Sequence, residues 1–546
     1  MTPLEQLRSA VEQAAADLRD GAPPSGARPT LERPPRADFG DYSTNAAMLL
    51  APAMGAPPRA IAERLGEGLR ERLGDGLDRV EVAGPGFLNV FLADAWHVAA
   101  VAQLLAAGDA WGGGGAEAAE RINVEFVSAN PTGPLTAASG RHAAYGDALA
   151  RVLEFHGHSV DREYYFNDAG SQIRRLGESI RARARGEDLP EDGYQGDYVA
   201  DLAAEIPGAA EADTDALAEA GVAILLERIK ATLATYRVDF DRWFLERSLH
   251  QGEPSPIEVA YERLREQGHL YESEGALWLR TTDFGDDKPR VLQRSTGEPT
   301  YFAADVAYHE EKLLRGYDRL INVLGADHHG YIGRMKAAIA TLGEDPDRLE
   351  IQILQFVHIV ERGARASMSK RRGEFITLDD LIAEIGVDAA RFFMLQRSHD
   401  TTVDLDLDLA REQSNENPVY YVQYAHARIA SMLRKAGSER VAAAIAAAGD
   451  GPGEGVVLEP AERELVKLLL AFPGEVAEAA GRRAPHRIAN YALELAQGFT
   501  AFYRDCRVVG AEPESLESLR IALSVATQRV IARSLTLLGV DAPDTM

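Results

Sequence analysis

The feature that most constrains the fold is an apolar run that leads through a short turn into a long helical pattern. The run at 122–128 reads INVEFVS, which is typical of a buried strand. The turn ANPTGP follows, then the helical stretch GRHAAYGDALARVLEFHG, then a second strand pattern, SVDREYYF. Strand, turn, helix and strand in this order predict a βαβ unit, which belongs to a parallel sheet with a right-handed crossover.

Further strand patterns extend this unit into a larger domain. Apolar runs at 319–326 and 349–360 alternate with helical segments, which predicts an α/β domain, a Rossmann-like doubly wound parallel sheet, over residues 116–410. The domain contains an insertion, because residues 191–220 hold nine acids and no base and are typical of a solvated surface.

The chain on either side of this domain has different patterns. Helical patterns and two strands around the GPG turn at 84–86 predict a small α+β domain over residues 1–95. The segment WGGGG at 111–115 is typical of a flexible linker. Strand patterns end after about residue 415 and four helical patterns follow, so we predict an all-α helical bundle over residues 411–546.

Composition excludes several classes of protein. The 546 residues carry a net charge of −27, which argues against a protein that coats nucleic acid or anionic membrane without specificity. The single cysteine, Cys506, excludes a disulfide framework and fits a reducing compartment. No apolar run reaches the roughly 18 residues that span a bilayer, and the first residues lack a signal-peptide pattern. We expect a cytoplasmic protein without a membrane partner.

The turn ANPTGPL at 129–135 lies where the first strand of the α/β domain is followed by its helix. Such a turn presents free backbone N–H groups, which suit a nucleotide phosphate. Neither a GxGxxG nor a GxxxxGK(S/T) pattern is present at this turn, so dinucleotide enzymes and P-loop NTPases are disfavoured. On spacing alone, an ordinary strand-to-helix turn fits equally well.

Several long motifs carry a family resemblance. The segments VEFVSANPTGPL and REYYFNDAGSQI resemble the nucleotide-binding opening of class I arginyl-tRNA synthetases. Other segments are similar to that family in the same order along the chain: DFGDYSTNAAM, GPGFLNV, GADHHGYIGR, SMSKRRGEFITLDDLIAEIGVDAARFFML and NPVYYVQYAHARI. The resemblance implies ATP-dependent attachment of L-arginine to tRNA-Arg, with ATP as substrate and Mg²⁺ as cofactor. A monomer is expected, because no heptad or large apolar repeat demands an oligomer.

The resemblance implies nine ATP-binding positions: Pro131, Gly133, Thr136, Ser139, Gly140, His328, His329, Ser369 and Lys370. Among them, Thr136, Ser139 and Lys370 are the implied catalytic residues. Lys370 lies in a basic run at 362–372 and corresponds to the family's lysine that stabilises the leaving pyrophosphate. A solvated basic loop is the alternative for this run. No metal-ligating residues are predicted, because adjacent histidines point in different directions and no third ligand is spaced nearby.

One departure from the family concerns the phosphate contacts. The family has His-x-Gly-His where this chain has Thr136-Ala-Ala-Ser139. Hydroxyl groups can donate hydrogen bonds to a phosphate but cannot become cationic as histidine can. His142, one helical turn further, could compensate in part, although a surface histidine is the more ordinary interpretation.

The resemblance also implies residues that hold arginine and tRNA. Five positions match the family's arginine-binding residues: Glu125, Ser128, Asn130, Tyr301 and Asp305. A carboxylate is the partner that a guanidinium requires, although an acid in an apolar strand, as at Glu125, is often a paired core group. Four positions are the tRNA-binding candidates: Asn45, Tyr420, Tyr424 and Arg428. The tyrosines could stack on anticodon bases or could equally pack inside the bundle.

Two classes of function are therefore compared. The first is an arginine–tRNA ligase with the three predicted domains. The second is a non-catalytic synthetase-like regulator that binds tRNA or arginine, which the missing histidines motivate. The retained Asn130, Tyr301, Asp305 and Lys370 favour the enzyme.

Overall fold

The computed structural model describes residues 1–19, 27–168, 170–365, 376–451 and 456–546. At the amino end, three helices pack on a three-stranded antiparallel sheet of order β1-β3-β2. The elements are α1 (Pro3–Leu18), β1 (Tyr42–Thr44), α2 (Ala46–Met54), α3 (Pro58–Leu73), β2 (Leu77–Ala83) and β3 (Phe87–Leu92). Both predicted helical patterns and the turn between two strands are confirmed, and this unit has its own apolar core.

Helix α4 (Asp94–Ala107) leads into the glycine segment that the sequence predicts as a flexible linker. That prediction is wrong. Trp111 is buried and its indole N–H donates to the carbonyl of Leu469 at 3.2 Å. Gly112 adopts a positive φ of 87°, and a Cβ placed there would lie 2.6 Å from the ring of Phe472. The glycines therefore allow close packing of the backbone against an aromatic ring rather than freedom of motion.

The first part of the α/β domain contains strands β4 to β6. Its elements are β4 (Arg121–Glu125), α5 (Ala137–His156), β5 (Ser159–Phe166), α6 (Ser171–Arg185), α7 (Asp197–Glu205), α8 (Thr214–Thr235) and β6 (Arg242–Leu245). The predicted βαβ unit is confirmed as β4, α5 and β5. The acidic segment at 191–220 forms α7, its flanking loops and the first turns of α8, and both α7 and α8 pack on α6.

The second part of the domain adds a small meander and the remaining strands. Its elements are α9 (Pro256–Glu266), β7 (Leu270–Ser273), β8 (Ala276–Leu279), β9 (Arg290–Gln293), α10 (Tyr301–Leu314), β10 (Arg319–Gly325), α11 (Ile332–Thr341), β11 (Leu349–Leu354), β12 (Val357–Glu361), β13 (Ala364–Arg365), α12 (Leu378–Leu395), β14 (Val403–Asp406) and α13 (Leu407–Arg411). Strands β7, β8 and β9 form a separate antiparallel sheet.

The central sheet has five parallel strands in the order β11-β10-β4-β5-β6. Glu125, the last residue of β4, pairs in register with Asn322 of β10 and Glu163 of β5. The chain order reverses beside β4, and in such sheets ligands bind at the carboxyl ends of the strands on either side of this reversal. The doubly wound parallel sheet predicted from the sequence is therefore confirmed.

The apolar run at 349–360 forms two strands rather than the single strand that we predicted. β11 belongs to the central sheet, whereas β12 pairs in parallel with β14 and antiparallel with β13 in a second sheet. The break falls at Gln355 and Phe356, and Phe356 is 60% exposed. Polar residues are interspersed with apolar ones on both sides of this break, so the composition of the run does not reveal the change of sheet.

The carboxyl-terminal unit is a helical bundle, as predicted. Its described helices are α14 (Pro418–Ala436), α15 (Ser438–Ala447), α16 (Pro460–Gly481), α17 (His486–Asp505) and α18 (Glu514–Leu537). The sequence patterns predict four of these five helices. The fifth, α15, is short and rich in alanine, and Ala444 is its one fully buried residue, so its amphipathic pattern is weak.

Arg391 joins the α/β domain to this bundle. Its guanidinium is fully buried and forms an ion pair with Asp147 of α5. It also donates to the carbonyl of Tyr236 at the end of α8, at 2.9 Å, and to that of Leu538 at the end of α18, at 2.8 Å. One side chain of α12 therefore satisfies groups on three other helices, two in the α/β domain and one in the bundle.

The contacts of Arg391 predict a large loss of stability in the variant Arg391→Met. Removal of one partner from a buried ion pair typically costs about 3–5 kcal/mol. Here the carbonyls of Tyr236 and Leu538 lose their buried donor, while Asp147 keeps its pair with Arg151. We expect a thermal unfolding midpoint several degrees below that of the wild type. The same change at the exposed Arg504, which pairs only with its neighbour Asp505, should leave the midpoint unchanged. Equal midpoints for Arg391→Met and the wild type would contradict this role.

Candidate active site

Strand β4 ends in a strained turn at the centre of the sheet's carboxyl edge. Val127 and Ser128 have φ values of 66° and 40°, a left-handed conformation that residues other than glycine rarely adopt. The turn is held by Tyr164 of β5, whose hydroxyl donates to the carbonyl of Ala129 at 3.0 Å and accepts from its N–H at 3.1 Å. Such strain persists where the surrounding structure fixes the backbone, which is common at functional sites.

The predicted nucleotide turn leads into the amino end of α5. Thr136 is the N-cap of this 20-residue helix, and its hydroxyl accepts from the N–H of Ser139 at 3.3 Å. The two hydroxyls also lie 3.2 Å apart and hydrogen bond to each other. Pro131, Gly133 and Gly140 are buried beneath this surface. The site therefore offers two hydroxyls and the positive end of a long helix, which together suit an anion.

The turn is also paired with the segment that follows the basic run. The N–H of Ala137 donates to the carbonyl of Ile376 at 3.0 Å, and the N–H of Leu378 donates to the carbonyl of Leu135 at 2.8 Å. Ser369 and Lys370, predicted to bind ATP, lie outside the described residues. Ile376, the first described residue after them, lies directly beside the nucleotide turn.

The histidines occupy two different environments. His328 and His329 are exposed in the turn after β10, at the same edge of the sheet as β4. His142 is not the surface residue that we expected. Burial chiefly, together with neighbouring Arg141, lowers the pKa of His142 to about 4, so its imidazole is neutral near pH 7. His142 therefore does not replace the positive charge of the missing histidines.

Three carboxylates meet beside this turn. Glu125 ends β4, Asp305 lies one turn into α10, and Glu246 follows β6. Glu125 and Glu246 are 6% and 5% exposed, and each interacts electrostatically with Asp305. A cavity of about 480 Å³ opens next to them and is lined in part by Glu246, Thr300 and Tyr301.

The protonation of this cluster follows from its burial. Burial chiefly, together with the carboxylates of Glu246 and Glu125, raises the pKa of Asp305 to about 7, although a hydrogen bond from Tyr331 opposes the rise. Burial also raises the pKa of Glu246, against a hydrogen bond from Tyr165. Carboxylates crowded in this way are stabilised by a cation placed among them.

Glu125 is already partly neutralised. Lys312, which is fully buried on α10, forms an ion pair with one oxygen of Glu125 and donates to the Asn322 side chain at 3.2 Å. Ser128 donates to the other oxygen of Glu125 at 3.2 Å. The paired-core interpretation of Glu125 therefore describes its contacts, although a carboxylate has lone pairs left for a further donor.

The remaining predicted arginine-binding residues lie around the cluster. The Ser128 hydroxyl also accepts from the N–H of Tyr165 at 3.1 Å, which fixes it at the end of β4. Asn130 is exposed and its amide donates to Gln172 at 2.9 Å. Tyr301 is the first residue of α10, is 62% exposed and lines the cavity. The structure thus places all five predicted residues at one edge of the sheet.

Two members of the cluster were missed by the sequence analysis. Glu246 follows the strand Trp243-Phe244-Leu245, an acid after an apolar strand as at Glu125, but the strand has only four residues. Lys312 lies seven residues after Asp305, which places both on one face of α10. Each signal was present in the sequence, but neither identified the cluster without the fold.

The tRNA candidates are distributed over two units. Asn45 precedes α2, where its side chain accepts from the N–H of Thr30 at 2.9 Å. Tyr420 and Tyr424 stack on α14 with centroids 6.0 Å apart and planes within 7°. Tyr424 is 37% exposed, whereas Tyr421 points into the bundle and donates to Thr500 at 3.0 Å.

Arg428 extends this aromatic surface. Its guanidinium lies 5.1 Å from the ring centroids of both Tyr424 and Tyr503. These side chains, with Lys435 and Arg507, line a groove of about 570 Å³ between α14 and α17. Exposed aromatic rings beside cations suit stacking with bases and contact with phosphates. Tyr503 and Arg507 were missed because they come from the end of α17 and the segment after it, whereas the predicted residues lie on α14.

The described residues contain neither a membrane-spanning helix nor a cluster of metal ligands. None of their helices combines the length and the apolar character needed to cross a membrane. They also contain no group of three or more His, Cys, Asp or Glu side chains arranged to hold a metal ion.

Comparison with known proteins agrees with this geometry. Three family models match consecutive parts of the chain: the arginyl tRNA synthetase N terminal domain over 5–92, the catalytic domain of class I (R) tRNA synthetases over 244–431, and the DALR anticodon binding domain over 422–546. The chain is similar to the arginine–tRNA ligase of Geobacillus kaustophilus (strain HTA426), at 45% identity over 99% of both chains.

Two further proteins are similar over nearly the whole chain. The arginine–tRNA ligase of Frankia alni is 46% identical over 95% of this chain and 94% of its own. The solved structure of Thermus thermophilus arginyl-tRNA synthetase superposes with a TM-score of 0.75 at 25% identity, over 99% of both chains. Because this sequence similarity extends over nearly the whole chain and agrees with the fold described above, the chain belongs to the arginyl-tRNA synthetase family.

Proposed function

We propose that this chain is an arginine–tRNA ligase that activates L-arginine with ATP and transfers it to the 3′ end of tRNA-Arg, releasing AMP and pyrophosphate. The observation that carries the proposal is the cluster of Glu125, Glu246 and Asp305 beside the nucleotide turn of β4. A cluster of this charge selects a cationic side chain, and the adjacent helix terminus suits a phosphate.

Arginine is bound through both of its ends on this account. Asp305 and Glu246 accept hydrogen bonds from the guanidinium at the cavity, where Tyr301 covers it. Glu125, Ser128 and Asn130, at the end of β4, hold the α-ammonium and α-carboxylate groups. Lys312 balances one charge of the cluster, so the site keeps carboxylates for the substrate without an excess of buried negative charge.

The first reaction step joins the two substrates. A carboxylate oxygen of arginine attacks the α-phosphorus of ATP in line, and pyrophosphate leaves with the electrons of the broken P–O bond. Thr136 and Ser139 donate hydrogen bonds to the phosphates at the amino end of α5, while Pro131, Gly133 and Gly140 allow ATP to lie close to the backbone. Catalysis comes from positioning and electrostatics, with no covalent bond to the protein.

Other residues complete the ATP site. We infer that Lys370 and Ser369 contact the leaving pyrophosphate, which the pairing of Ile376 with Ala137 supports because it brings the end of their segment to the turn. His328 and His329, exposed at the end of β10, contact the ribose or phosphates. Mg²⁺ enters with ATP, since oxygen atoms of phosphates and water supply most of its ligands.

The second step uses tRNA-Arg. A hydroxyl of its 3′-terminal ribose attacks the arginyl carbonyl of the adenylate, and AMP leaves. We propose that residues 1–95 contact the tRNA elbow through Asn45, that residues 116–410 perform catalysis, and that residues 411–546 bind the anticodon. Support for the last role comes from the groove of Tyr420, Tyr424 and Arg428.

The protein is proposed to act as a cytoplasmic monomer. Cys506 is buried as a free thiol, and its burial raises the thiol pKa to about 11, which keeps it unreactive and fits a reducing compartment. The alternative of a non-catalytic regulator is not favoured. The chain matches arginine–tRNA ligases over nearly its full length, and its acidic cluster suits a cationic substrate.

Purified protein is expected to attach labelled arginine to tRNA-Arg in the presence of ATP and Mg²⁺. The variant Lys370→Ala should lose about 10²-fold in activation rate, because one charged donor to the transition state is removed, while tRNA affinity is retained. Pyrophosphate exchange in the presence of tRNA and filter binding measure the two quantities.

The control for this experiment is Lys336→Ala. Lys336 pairs with Asp347, which precedes β11 and so lies at the opposite edge of the sheet, and its loss should leave both quantities unchanged. Failure of the wild-type protein to charge tRNA-Arg while still binding it would contradict the proposed function. Equal losses of activation and tRNA affinity in Lys370→Ala would contradict the role of Lys370.

Arginine affinity is predicted to rise with pH between 6 and 8. Asp305 must be ionised to hold a guanidinium, and its raised pKa of about 7 leaves it largely protonated at pH 6. Arginine itself keeps its charge over this range. The affinity measured by calorimetry should therefore be about tenfold weaker at pH 6 than at pH 8.

The variant Asp305→Asn should bind arginine weakly without this pH dependence, whereas Glu298→Gln at the cavity rim should keep it. A flat profile in the wild type would refute the assignment.

A further inference from the structure

The acidic insertion contacts the nucleotide turn through one side chain. Tyr198 is the second residue of α7, within the segment 191–220 that carries nine acids and no base. Its hydroxyl donates to the carbonyl of Thr132 at 2.7 Å. Thr132 lies in the middle of the turn ANPTGP and is 2% exposed. A solvated surface was the expectation for this segment, yet one of its residues reaches the ATP site.

The ring of Tyr198 is fixed between two glycines. A Cβ placed on Gly133 would lie 3.1 Å from the Cζ of Tyr198, and one placed on Gly196 would lie 2.7 Å from its Cδ1. Glycine at these two positions therefore leaves space for the ring, and the side chain of any other residue would reduce that space. The ring supports the turn from the side of the insertion, and the hydroxyl sets the direction of the Thr132 carbonyl.

The turn also borders a cavity on the side of the insertion. A cavity of about 350 Å³ lies behind it, lined in part by Pro134, Leu135, Tyr198 and Asp379. Across this cavity, Thr232 of α8 donates to the carboxylate of Asp379 in the first turn of α12 at 2.8 Å. The insertion thus contacts the turn through Tyr198, while α8, which begins within the acidic segment, contacts the helix that follows the Lys370 segment.

We propose that Tyr198 is a positioning residue for ATP, which holds the Thr132 carbonyl so that the backbone N–H groups of the turn face the nucleotide. The proposal rests on the proposed function, because the turn at 129–135 is assigned to ATP there. Removing the hydroxyl leaves a buried carbonyl without its donor, and a peptide unit in that condition reorients toward a new partner. The N–H groups on the opposite side of that peptide and its neighbour then turn away from ATP.

The variant Tyr198→Phe tests this role, because it removes the hydroxyl and keeps the ring. We expect ATP affinity, measured by calorimetry with MgATP, to fall roughly three- to tenfold, the effect of one hydrogen bond. The KM for ATP in pyrophosphate exchange should rise by the same factor. Arginine affinity, tRNA affinity and the thermal unfolding midpoint should stay at wild-type values, which separates positioning from a general loss of structure.

The matched control is Tyr194→Phe in the same segment. Tyr194 contacts Ser179 through its backbone N–H at 3.0 Å, so loss of its hydroxyl should leave ATP affinity unchanged. The proposal is overturned if Tyr198→Phe binds ATP within twofold of the wild type. It is also overturned if ATP, arginine and the unfolding midpoint all change together, or if Tyr194→Phe has the same effect.

The same experiment separates this proposal from the proposed function. ATP binding is measured without charging, so a wild-type protein that binds ATP but fails to charge tRNA-Arg refutes the function while the comparison still decides the role of Tyr198. A wild-type protein that charges tRNA-Arg, with Tyr198→Phe unaffected, refutes the role of Tyr198 alone. A wild-type protein that does not bind ATP refutes both.

Discussion

The buried guanidinium of Arg391 is the contact on which the arrangement of the site depends. It joins Asp147 of α5 to the carboxyl ends of α8 and α18. Helix α5 begins at the nucleotide turn, α12 follows the Lys370 segment, and α8 begins within the acidic segment 191–220. A charge buried at this point is costly unless every partner stays in place. It therefore fixes α5, α8 and α12 relative to one another and to the carboxyl-terminal bundle.

The groups of the candidate site that suit an anion and those that suit a cation lie side by side but are built from different elements. At the end of β4, the amino terminus of α5 suits an anion, and beside it Glu125, Glu246 and Asp305 form an acidic cluster that suits a cation. The chain lacks the family's two histidines, and His142 is buried and neutral. Under the proposed function, we infer that the positive charge at the pyrophosphate comes chiefly from Lys370 and Mg²⁺. The strongly acidic total charge thus coexists with an anion site built from backbone dipoles and a few side chains.

Local patterns predict much of this architecture, and tertiary contacts decide the rest. The β4–α5–β5 unit could be predicted because strand, turn and helix follow one another within a short stretch. Glu246 could not, because its strand is four residues long and reaches the site only through the sheet order. Tyr198 and Thr132 are 66 residues apart, so no periodicity relates them. The glycine segment at 111–115 illustrates the same limit, since its composition suggests flexibility while Phe472, far along the chain, determines its packing.

Selection of a charged guanidinium is the central claim, and binding of arginine against citrulline tests it most directly. Citrulline keeps the shape of arginine but carries an uncharged urea group in place of the guanidinium. A site built from Glu246 and Asp305 should bind arginine at least about 10²-fold more tightly by calorimetry at pH 8, because rejection of an analogue that cannot pair with buried polar groups is strong. Affinities for the two ligands within threefold of each other would contradict the account.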